Sequence, residues 1–233
     1  MRLDVFLVEN NLAPSRTKAQ EIIKKGLVFV ENKQITKPSF VVNSSDVLIK
    51  QYKEYVSRSA WKLATFLQQI PLDVANKECL DIGSSTGGFT QVLLENNAKS
   101  VTCVDVGTNQ LHPSIRENKK VCVYEQTDIR NFTHEPFEVV VSDVSFIALG
   151  KIIKNIDILA KKDIVVLFKP QFEVGLGVKR DKKGVVKDKK AIALAQSRFE
   201  DAAELIGWKL KAKETAHIKG KDGNLEYCYY FSK

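Results

Sequence analysis

The sequence lacks the features of a membrane-spanning or exported protein. No uninterrupted apolar run approaches the roughly 20 residues that a helix needs to cross a bilayer. The first residues, MRLDVFLVENN, carry Asp4 and Glu9 where a secretory signal would need an apolar core. We therefore expect a cytoplasmic protein with no part in a membrane.

Residues that bind metals or form disulfides are also sparse. The three histidines show no His-Glu-x-x-His pattern, and the cysteines occur singly, far apart, in strand-like apolar runs. These patterns predict no metal site and no disulfide framework, and they favour buried thiols in a reducing compartment. The cysteines concerned are Cys79, Cys103, Cys122 and Cys228.

Length and charge fit a globular protein with a polyanionic partner. A chain of 233 residues can bury one α/β core and still include a small second module. Lys and Arg number 36 against 28 Asp and Glu, which gives a formal net charge of +8. This surplus suits a polyanionic partner but does not by itself require one.

Residues 1–52 have the pattern of a small α+β domain. Ser15 predicts the N-cap of a helix that begins at Arg16, and Gly26 is typical of the position after a helix end. Strand-like segments broken by polar turns follow. Apolar residues at helical spacing form the inner face of the helix: Ala19, Ile22 and Ile23.

The order and spacing of these residues resemble the RNA-binding domain named after small-subunit ribosomal protein S-four. The matching motifs are Arg2-Leu3-Asp4, Ser15-Arg16-x-x-Ala19, Ile22-x-x-x-Gly26-x-Val28, Lys37-Pro38 and Asp46-x-Leu48. The resemblance implies binding to RNA shape and phosphates through basic helix faces. The basic residues that we assign to RNA contact are Arg2, Arg16, Lys18, Lys37 and Arg58. Charge alone would fit a solvated basic surface equally well.

The rest of the chain predicts a second domain. Residues 53–60 are expected to form a linker, and residues 61–233 alternate between strand and helix patterns. This order predicts a Rossmann-like α/β domain, with a largely parallel sheet covered by helices on both faces. Strands are expected near 78–83, 100–106, 121–126, 137–145, 163–169, 208–217 and 225–231, and helices near 87–96, 149–159 and 187–206.

A glycine turn after the first of these strands predicts a cofactor site. The Asp-x-Gly-x-x-x-Gly spacing that starts at Asp81 is typical of S-adenosylmethionine sites and differs from the Gly-x-Gly-x-x-Gly of dinucleotide binders. Asp105 ends the next strand, where a carboxylate can accept the ribose hydroxyls of a nucleoside, and Asp128 follows the third strand. The candidate cofactor residues are Asp81, Gly83, Ser84, Gly87, Gly88, Phe89, Asp105, Asp128 and Asp143. Each acid alone could equally be a turn residue at a strand end.

The residues after the fourth and fifth strands bear on the methyl acceptor. The chain has Ser142-Asp143-Val144-Ser145-Phe146 where enzymes that methylate base amines carry an Asn or Asp-Pro-Pro motif, and it has no Pro-Cys for attack on cytosine carbon. A ribose hydroxyl, in contrast, must lose a proton, and a suitably placed lysine can assist that step. Lys169 ends an apolar strand and precedes Pro170, an unusual place for a solvated lysine.

Four residues resemble the Lys-Asp-Lys-Glu tetrad of FtsJ-type ribose methyltransferases. They are Lys62 in SRSAWKL, Asp143 in VSD, Lys169 in LFKPQFE and Glu226 in GNLEY. In this interpretation Lys169 deprotonates or orients the hydroxyl, and Lys62 disfavours a second positive charge beside it, while Asp143 and Glu226 hold the two ammonium groups. The sequence leaves open which lysine acts as the base.

Together the two domains resemble the TlyA family over essentially the whole chain. The resemblance implies methylation of a cytidine 2′-hydroxyl in ribosomal RNA (rRNA), with S-adenosylmethionine as cofactor and an effect on capreomycin sensitivity. Its short members, which this chain resembles, are implied to act on large-subunit rRNA. Three alternatives stay open: a base methyltransferase, an RNA-binding protein without activity, and the haemolysin that some family members are called.

A basic segment near the chain's end allows two interpretations. Residues 179–190 carry seven basic and two acidic residues. They could form an RNA-facing flap that orders on binding, or a solvated surface loop. The sequence does not decide between them, and it does not predict an oligomeric state.

Overall fold

The structure is a computed structural model that describes residues 1–31, 33–42, 47–49 and 55–233, with the backbone alone for residues 48 and 49. The chain forms two compact units, Met1–Glu54 and Tyr55–Lys233. Asp46 and the side chain of Leu48, which belong to the S-four-like motif, lie outside the described residues. The expected linker, residues 53–60, spans the boundary between these units. Within it, Tyr55 and Val56 belong to the second unit, because they pack against its core.

The described residues of the first unit form two helices and a three-stranded antiparallel sheet. Strand β1 is central and pairs with β2 and β3. The core lies between the helices and the sheet and includes Leu3, Leu7, Ile23 and Val28. The elements are α1 (Leu3–Glu9), α2 (Arg16–Lys24), β1 (Val28–Val30), β2 (Lys33–Ile35) and β3 (Val47–Ile49).

Helix α2 begins and ends as its sequence predicts. The Ser15 hydroxyl accepts a hydrogen bond from the backbone N–H of Lys18, which satisfies one of the free donors at the helix start. Gly26 follows the last turn at φ +72°, a left-handed conformation that favours glycine. The predicted apolar face, which contains Ala19, Ile22 and Ile23, is buried.

The second unit is built on a seven-stranded sheet in the order β6-β5-β4-β7-β8-β10-β9. The five strands from β6 to β8 are parallel, and β10 runs antiparallel to both β8 and β9. The strands are β4 (Glu78–Ile82), β5 (Ser100–Val104), β6 (Val121–Tyr124), β7 (Phe137–Ser142), β8 (Ala160–Phe168), β9 (Lys209–Thr215) and β10 (Tyr227–Ser232). The predicted α/β architecture is confirmed.

Helices cover both faces of this sheet, and two separate apolar clusters form its core. The helix predicted over residues 149–159 is divided into a 3₁₀ turn, Leu149–Lys151, and a shorter α-helix. The helices are α3 (Ser59–Leu67), α4 (Gly88–Glu95), α5 (Pro113–Arg116), α6 (Ile153–Leu159), α7 (Pro170–Glu173) and α8 (Lys189–Leu205). Helix α3 and the short helices α5 and α7 were not predicted.

The cysteines are free thiols, as expected, but they do not share one environment. Cys79, Cys103 and Cys228 are buried, whereas Cys122 is exposed, so the prediction of a buried thiol is wrong at that position. Cys122 lies on β6, the edge strand of the sheet. An edge strand leaves part of its surface uncovered, and alternation along such a strand brings every second side chain to solvent.

The described residues contain neither a helix that could span a membrane nor a cluster of side chains that could hold a metal ion. Within those ranges, no helix combines the length and the apolar character needed to cross a bilayer. The same part of the chain contains no group of three or more His, Cys, Asp and Glu side chains placed to hold a metal ion.

Candidate active site

Two cavities meet at the carboxyl ends of β4 and β7 in the second unit. The first, of about 770 Å³, contains the predicted tetrad and several further lysines, and we call it the lysine cavity. The second, of about 910 Å³, contains Asp105 and Asp128, and we call it the aspartate cavity. Both are lined by Gly83, Ser85, Asp143, Ser145 and Phe146. A ligand in one cavity can therefore touch a ligand in the other.

Lys169 and Asp143 form an ion pair at the junction of these cavities. The Lys169 Nζ lies 2.6 Å from Asp143 Oδ1 and donates a hydrogen bond to Ser145 Oγ at 2.9 Å. Asp143 follows β7 and Lys169 follows β8, and these parallel neighbours bring their carboxyl ends to the same edge of the sheet. Their side chains are 13% and 11% exposed, so solvent screens the pair only weakly.

Lys62 and Glu226 form a second, more deeply buried ion pair, with side chains 8% and 3% exposed. Lys62 lies on α3, and Glu226 immediately precedes β10. Because β10 is antiparallel to β8 with Tyr227 opposite Phe168, the start of β10 lies beside the end of β8. Glu226 is thereby brought into the cavity that contains Lys169.

Two further residues enclose the carboxylate of Glu226. Gln171 donates a hydrogen bond from Nε2 to Glu226 Oε1 at 3.3 Å. Gly220 lies against the same oxygen so closely that any side chain there would collide with it. Sequence reasoning did not select either residue, although Gln171 stands two positions after Lys169 in the motif that was identified.

Burial dominates the electrostatics of Asp143. Removal from water raises the pKa of Asp143, and the positive charges of Lys169 and Lys62 oppose that rise. The four tetrad residues thus lie in one cavity as two ion pairs, and the field of each pair reaches the other. The expectation that Lys62 disfavours a second positive charge on Lys169 stays a prediction.

Gly83, in the turn between β4 and α4, stands where the local backbone geometry requires a glycine. Its φ is +78°, and a Cβ at this position would lie 3.1 Å from the carbonyl oxygen of Asp143. Glycine thus lets the end of β4 approach the end of β7, where the two cavities join. Ser84 and Phe89, which were also predicted to bind the cofactor, line the lysine cavity.

Gly87 and Gly88 do not line either cavity. A Cβ on Gly88 would lie 2.0 Å from Ser57 Oγ and 2.6 Å from Ser59 Oγ, and one on Gly87 would crowd Leu111 and Ile115. In this structure both glycines serve close packing of the turn against neighbouring segments. Their assignment to cofactor binding stays a prediction.

Asp81 is buried beneath the turn rather than exposed to a cavity. It accepts a hydrogen bond from Thr90 Oγ1 at 2.6 Å, and this hydroxyl also lies 3.1 Å from Cys103 Sγ. Burial raises the pKa of Asp81 to about 7. The contact joins β4 to α4 below the glycine turn, which suits a supporting residue better than a direct ligand.

Asp105 and Asp128 line the aspartate cavity, and their assignment to cofactor binding stays a prediction. Asp105 accepts backbone hydrogen bonds from Ser85 at 2.8 Å and from Gly107 at 2.7 Å, which fix the orientation of its carboxylate. The Arg130 guanidinium holds the pKa of Asp128 down to about 2. Both side chains are hydrogen-bonded through their carboxyl groups, and each carboxylate oxygen can accept further bonds.

The basic candidates of the first unit are organised around a buried acid, Asp4. Its carboxylate accepts hydrogen bonds from Arg2 at 2.9 and 3.0 Å, from Arg16 at 3.1 Å and from Gln20 at 2.8 Å. The Arg2 guanidinium, with Gln20 and Arg16, holds the pKa of Asp4 far below its usual range. Arg2 and Arg16 remain 46% and 57% exposed, so they are fixed in place and still accessible.

The other three basic candidates differ in environment. Lys18 forms an ion pair with Glu21, and Lys37 is exposed. Arg58 belongs to the second unit, lines the lysine cavity and donates a hydrogen bond to the carbonyl oxygen of Lys219 at 3.0 Å. Arg58 thus lies in the same cavity as the tetrad.

Family comparisons agree with this division of the chain. Residues 55–233 match the FtsJ-like methyltransferase family, and residues 1–48 match the S4 domain. The 23S rRNA (cytidine-2′-O)-methyltransferase TlyA of Campylobacter jejuni is 47% identical over 100% of both chains. The 16S/23S rRNA (cytidine-2′-O)-methyltransferase TlyA of Mycobacterium tuberculosis is 37% identical over 97% of this chain and 87% of its own.

A solved structure from Streptococcus thermophilus, described as a candidate hemolysin, is 32% identical with a TM-score of 0.73. The similarity covers 100% of this chain and 88% of that one. Sequence and fold comparisons therefore extend over both units, and the matches span the tetrad and the glycine turn. The chain belongs to the FtsJ-like methyltransferase family and, within it, to the TlyA group.

Proposed function

We propose that this protein methylates the 2′-hydroxyl of a cytidine in rRNA, with S-adenosylmethionine as methyl donor. The observation that carries the proposal is the pair of buried lysines, Lys62 and Lys169, each with its own carboxylate in one cavity. The names of the Campylobacter jejuni and Mycobacterium tuberculosis relatives support the substrate class.

The aspartate cavity fits the nucleoside part of the cofactor. Asp105 offers a carboxylate to the ribose hydroxyls, and the apolar side chains of Val106, Ile129 and Val144 line the same space for the adenine ring. Gly83 lines both cavities, at the place where the cofactor would pass from this cavity into the lysine cavity. When bound, S-adenosylmethionine supplies an electrophilic methyl group at a sulfonium.

The lysine cavity fits the acceptor ribose. Lys169 Nζ orients the 2′-hydroxyl oxygen for in-line attack, and in its neutral form the amine accepts the hydroxyl proton. Asp143 and Ser145 fix the position of that nitrogen. Lys62 and Glu226 form a second fixed pair that shapes the cavity and adds to its field.

The relatives' names also support a choice of ribosomal subunit. The relative at 47% identity is named for 23S rRNA, and the one at 37% is named for both 16S and 23S rRNA. We therefore propose large-subunit rRNA as the substrate and the cytoplasm as the site of action. The effect on capreomycin sensitivity that the family resemblance implies stays a prediction.

Transfer of labelled methyl from S-adenosylmethionine to separated ribosomal subunits tests the proposal. Wild type should label the large subunit, and Lys169→Ala should reduce labelling by at least about 100-fold, the scale of a lost acid–base group. Lys161→Ala is the matched control, since Lys161 is an exposed lysine near the opposite end of the same strand. Alkaline resistance of the labelled linkage should locate the methyl group on ribose.

Two outcomes would overturn the proposal. Label that stays in alkali-sensitive nucleotides would indicate base methylation. Cofactor binding with no label on either subunit would indicate an RNA-binding protein without this activity.

A further inference from the structure

The segment that follows α7 forms a short hairpin beside the lysine cavity. Arg180 and Val186 form an antiparallel bridge, and the Asp181 carboxylate accepts the backbone N–H groups of Lys183 and Val185. Residues 180–186 therefore form a folded element, which we call the rim hairpin. The two interpretations of residues 179–190, an RNA-facing flap that orders on binding and a solvated surface loop, both stay predictions.

Asn224 fixes the rim hairpin to the segment just before β10, which also carries Glu226. Its Oδ1 accepts the backbone N–H of Val186 at 3.0 Å, and its Nδ2 donates to the carbonyl oxygen of Gly184 at 3.3 Å. Asn224 is 3% exposed. One buried amide therefore satisfies two backbone groups of a segment about 40 residues away in sequence, an arrangement that is costly to lose.

Arg180 fixes the other side of the hairpin. Its guanidinium donates hydrogen bonds to the carbonyl oxygens of Gln171, Gly175 and Val178 at 2.8 to 3.0 Å. Because these donors are engaged with the backbone, Arg180 mainly holds the hairpin in place. The basic groups available to a ligand must be other residues.

Three lysines at the mouth of the lysine cavity are candidates for that role: Lys183, Lys219 and Lys221. All three are exposed, and none forms an ion pair in the described part of the chain. Lys62 and Lys169, deeper in the same cavity, each have a carboxylate partner. The mouth also contains one exposed acid, Asp222, so the local charge stays positive.

We propose that Lys183, Lys219 and Lys221 bind the phosphates of nucleotides that flank the target nucleotide, and that Asn224 is a positioning residue for this contact. The inference rests on the proposed function, since RNA must enter the lysine cavity for a 2′-hydroxyl to reach Lys169. The target nucleotide must therefore enter this cavity, and the backbone on either side of it must be held at the entrance. Unpaired cations around the entrance provide that hold without reading sequence.

The first test is the salt dependence of rRNA binding. The triple variant Lys183→Ala, Lys219→Ala, Lys221→Ala should bind rRNA more weakly and lower the slope of log K against log salt by about 2 to 3, since each lost phosphate contact removes about 0.7 to 0.9. The control replaces three exposed lysines at the opposite end of the sheet, Lys161, Lys162 and Lys209, by alanine. The control should leave the slope near that of wild type.

The second test concerns Asn224. Asn224→Ala should raise the KM for rRNA several-fold with little change in kcat or cofactor affinity, and Lys183→Ala should then change the salt slope less than it does in wild type. Asn224→Asp, which keeps the acceptor for Val186 but sets a buried carboxylate oxygen against the Gly184 carbonyl, should give an effect at least as large in the same direction. A fall in kcat with an unchanged salt slope would show that Asn224 merely supports Glu226, and would overturn its positioning role.

These results separate the inference from the proposed function. Methyl transfer to rRNA by an enzyme whose salt slope is the same in the triple variant would overturn the phosphate contacts alone. Binding of rRNA that depends on the three lysines, without methyl transfer, would overturn the proposed function and leave the proposed phosphate contacts in place.

Discussion

The ammonium group of Lys169 lies 2.6 Å from Asp143 Oδ1, although 25 positions of chain separate the two residues. Each residue ends a strand, and the two strands are parallel neighbours, so the contact follows from the sheet. The sheet thus brings the two side chains together, and the contacts with Asp143 and Ser145 fix the position of the Lys169 nitrogen.

Lys62 and Glu226 should each be destabilising without the other, because each compensates the buried charge of its partner. Lys62→Met leaves Glu226 buried without its cation, which should lower the free energy of unfolding by about 3 to 5 kcal/mol. The double variant Lys62→Met, Glu226→Gln should recover much of that loss. Urea unfolding measures both values, and a double variant that is less stable than either single variant would contradict the pairing.

Asp105 should contribute to cofactor affinity through its charge. Asp105→Asn keeps the size of the side chain but removes the carboxylate, and we expect affinity for S-adenosylmethionine to fall about 10- to 100-fold, the scale of lost charge-assisted hydrogen bonds. Titration calorimetry with the purified variant measures this affinity. Asp201→Asn, at an exposed acid on α8, is the control. Equal affinities for wild type and Asp105→Asn would place the cofactor elsewhere.

Asp4 should make the stability of the first unit depend on acid pH. The pKa of Asp4 is lowered in the folded state, so its stabilising bonds are present at neutral pH and are lost as pH falls below about 4. Asp4→Asn should reduce hydrogen-exchange protection in α1 and α2 at pH 7 and should remove most of the acid dependence. Unchanged protection factors in the full-length variant would show that Asp4 does not hold the two helices.

Glu173 should have the opposite sign of pH dependence. It accepts a hydrogen bond from the backbone N–H of Leu149, and burial raises its pKa to about 7. Because the folded-state pKa lies above the unfolded value, the free energy of unfolding falls as pH rises from about 4.5 to 7.

Glu173→Gln removes this titration and keeps an oxygen for Leu149. The variant should therefore be more stable than wild type at pH 8, by up to about 3 kcal/mol, and should gain little at pH 5. Thermal unfolding at the two pH values measures the difference. The same difference at both pH values would mean that the carboxyl group does not titrate in this range.

Much of the scaffold could be predicted because its signals are local. Ser15 and Gly26 mark the ends of α2, and the apolar strand patterns give five parallel strands whose carboxyl ends share one edge. Because parallel strands bring their carboxyl ends to one edge of the sheet, Asp143 and Lys169 could be placed at the same edge from the sequence. Glu226 required the family motif, because its position depends on the antiparallel register of β10.

What the sequence did not reveal depends on contacts between distant segments. Asn224 joins Val186 across 38 residues, and no local pattern indicates that contact. Gly88 reads as part of a cofactor loop, yet Ser57 and Ser59 occupy the space that its side chain would take. Cys122 has the strand pattern of a core residue, and it is exposed because β6 happens to be an edge.

The most direct test of the central claim is nucleoside analysis of rRNA after reaction with S-adenosylmethionine and either wild type or Lys169→Met. Lys169→Met preserves the length of the side chain and removes the amine that Asp143 and Ser145 hold in place. We expect 2′-O-methylcytidine with wild type and its near absence with Lys169→Met, while both proteins bind the cofactor. A methylated base, or equal amounts of 2′-O-methylcytidine from the two proteins, would contradict this expectation.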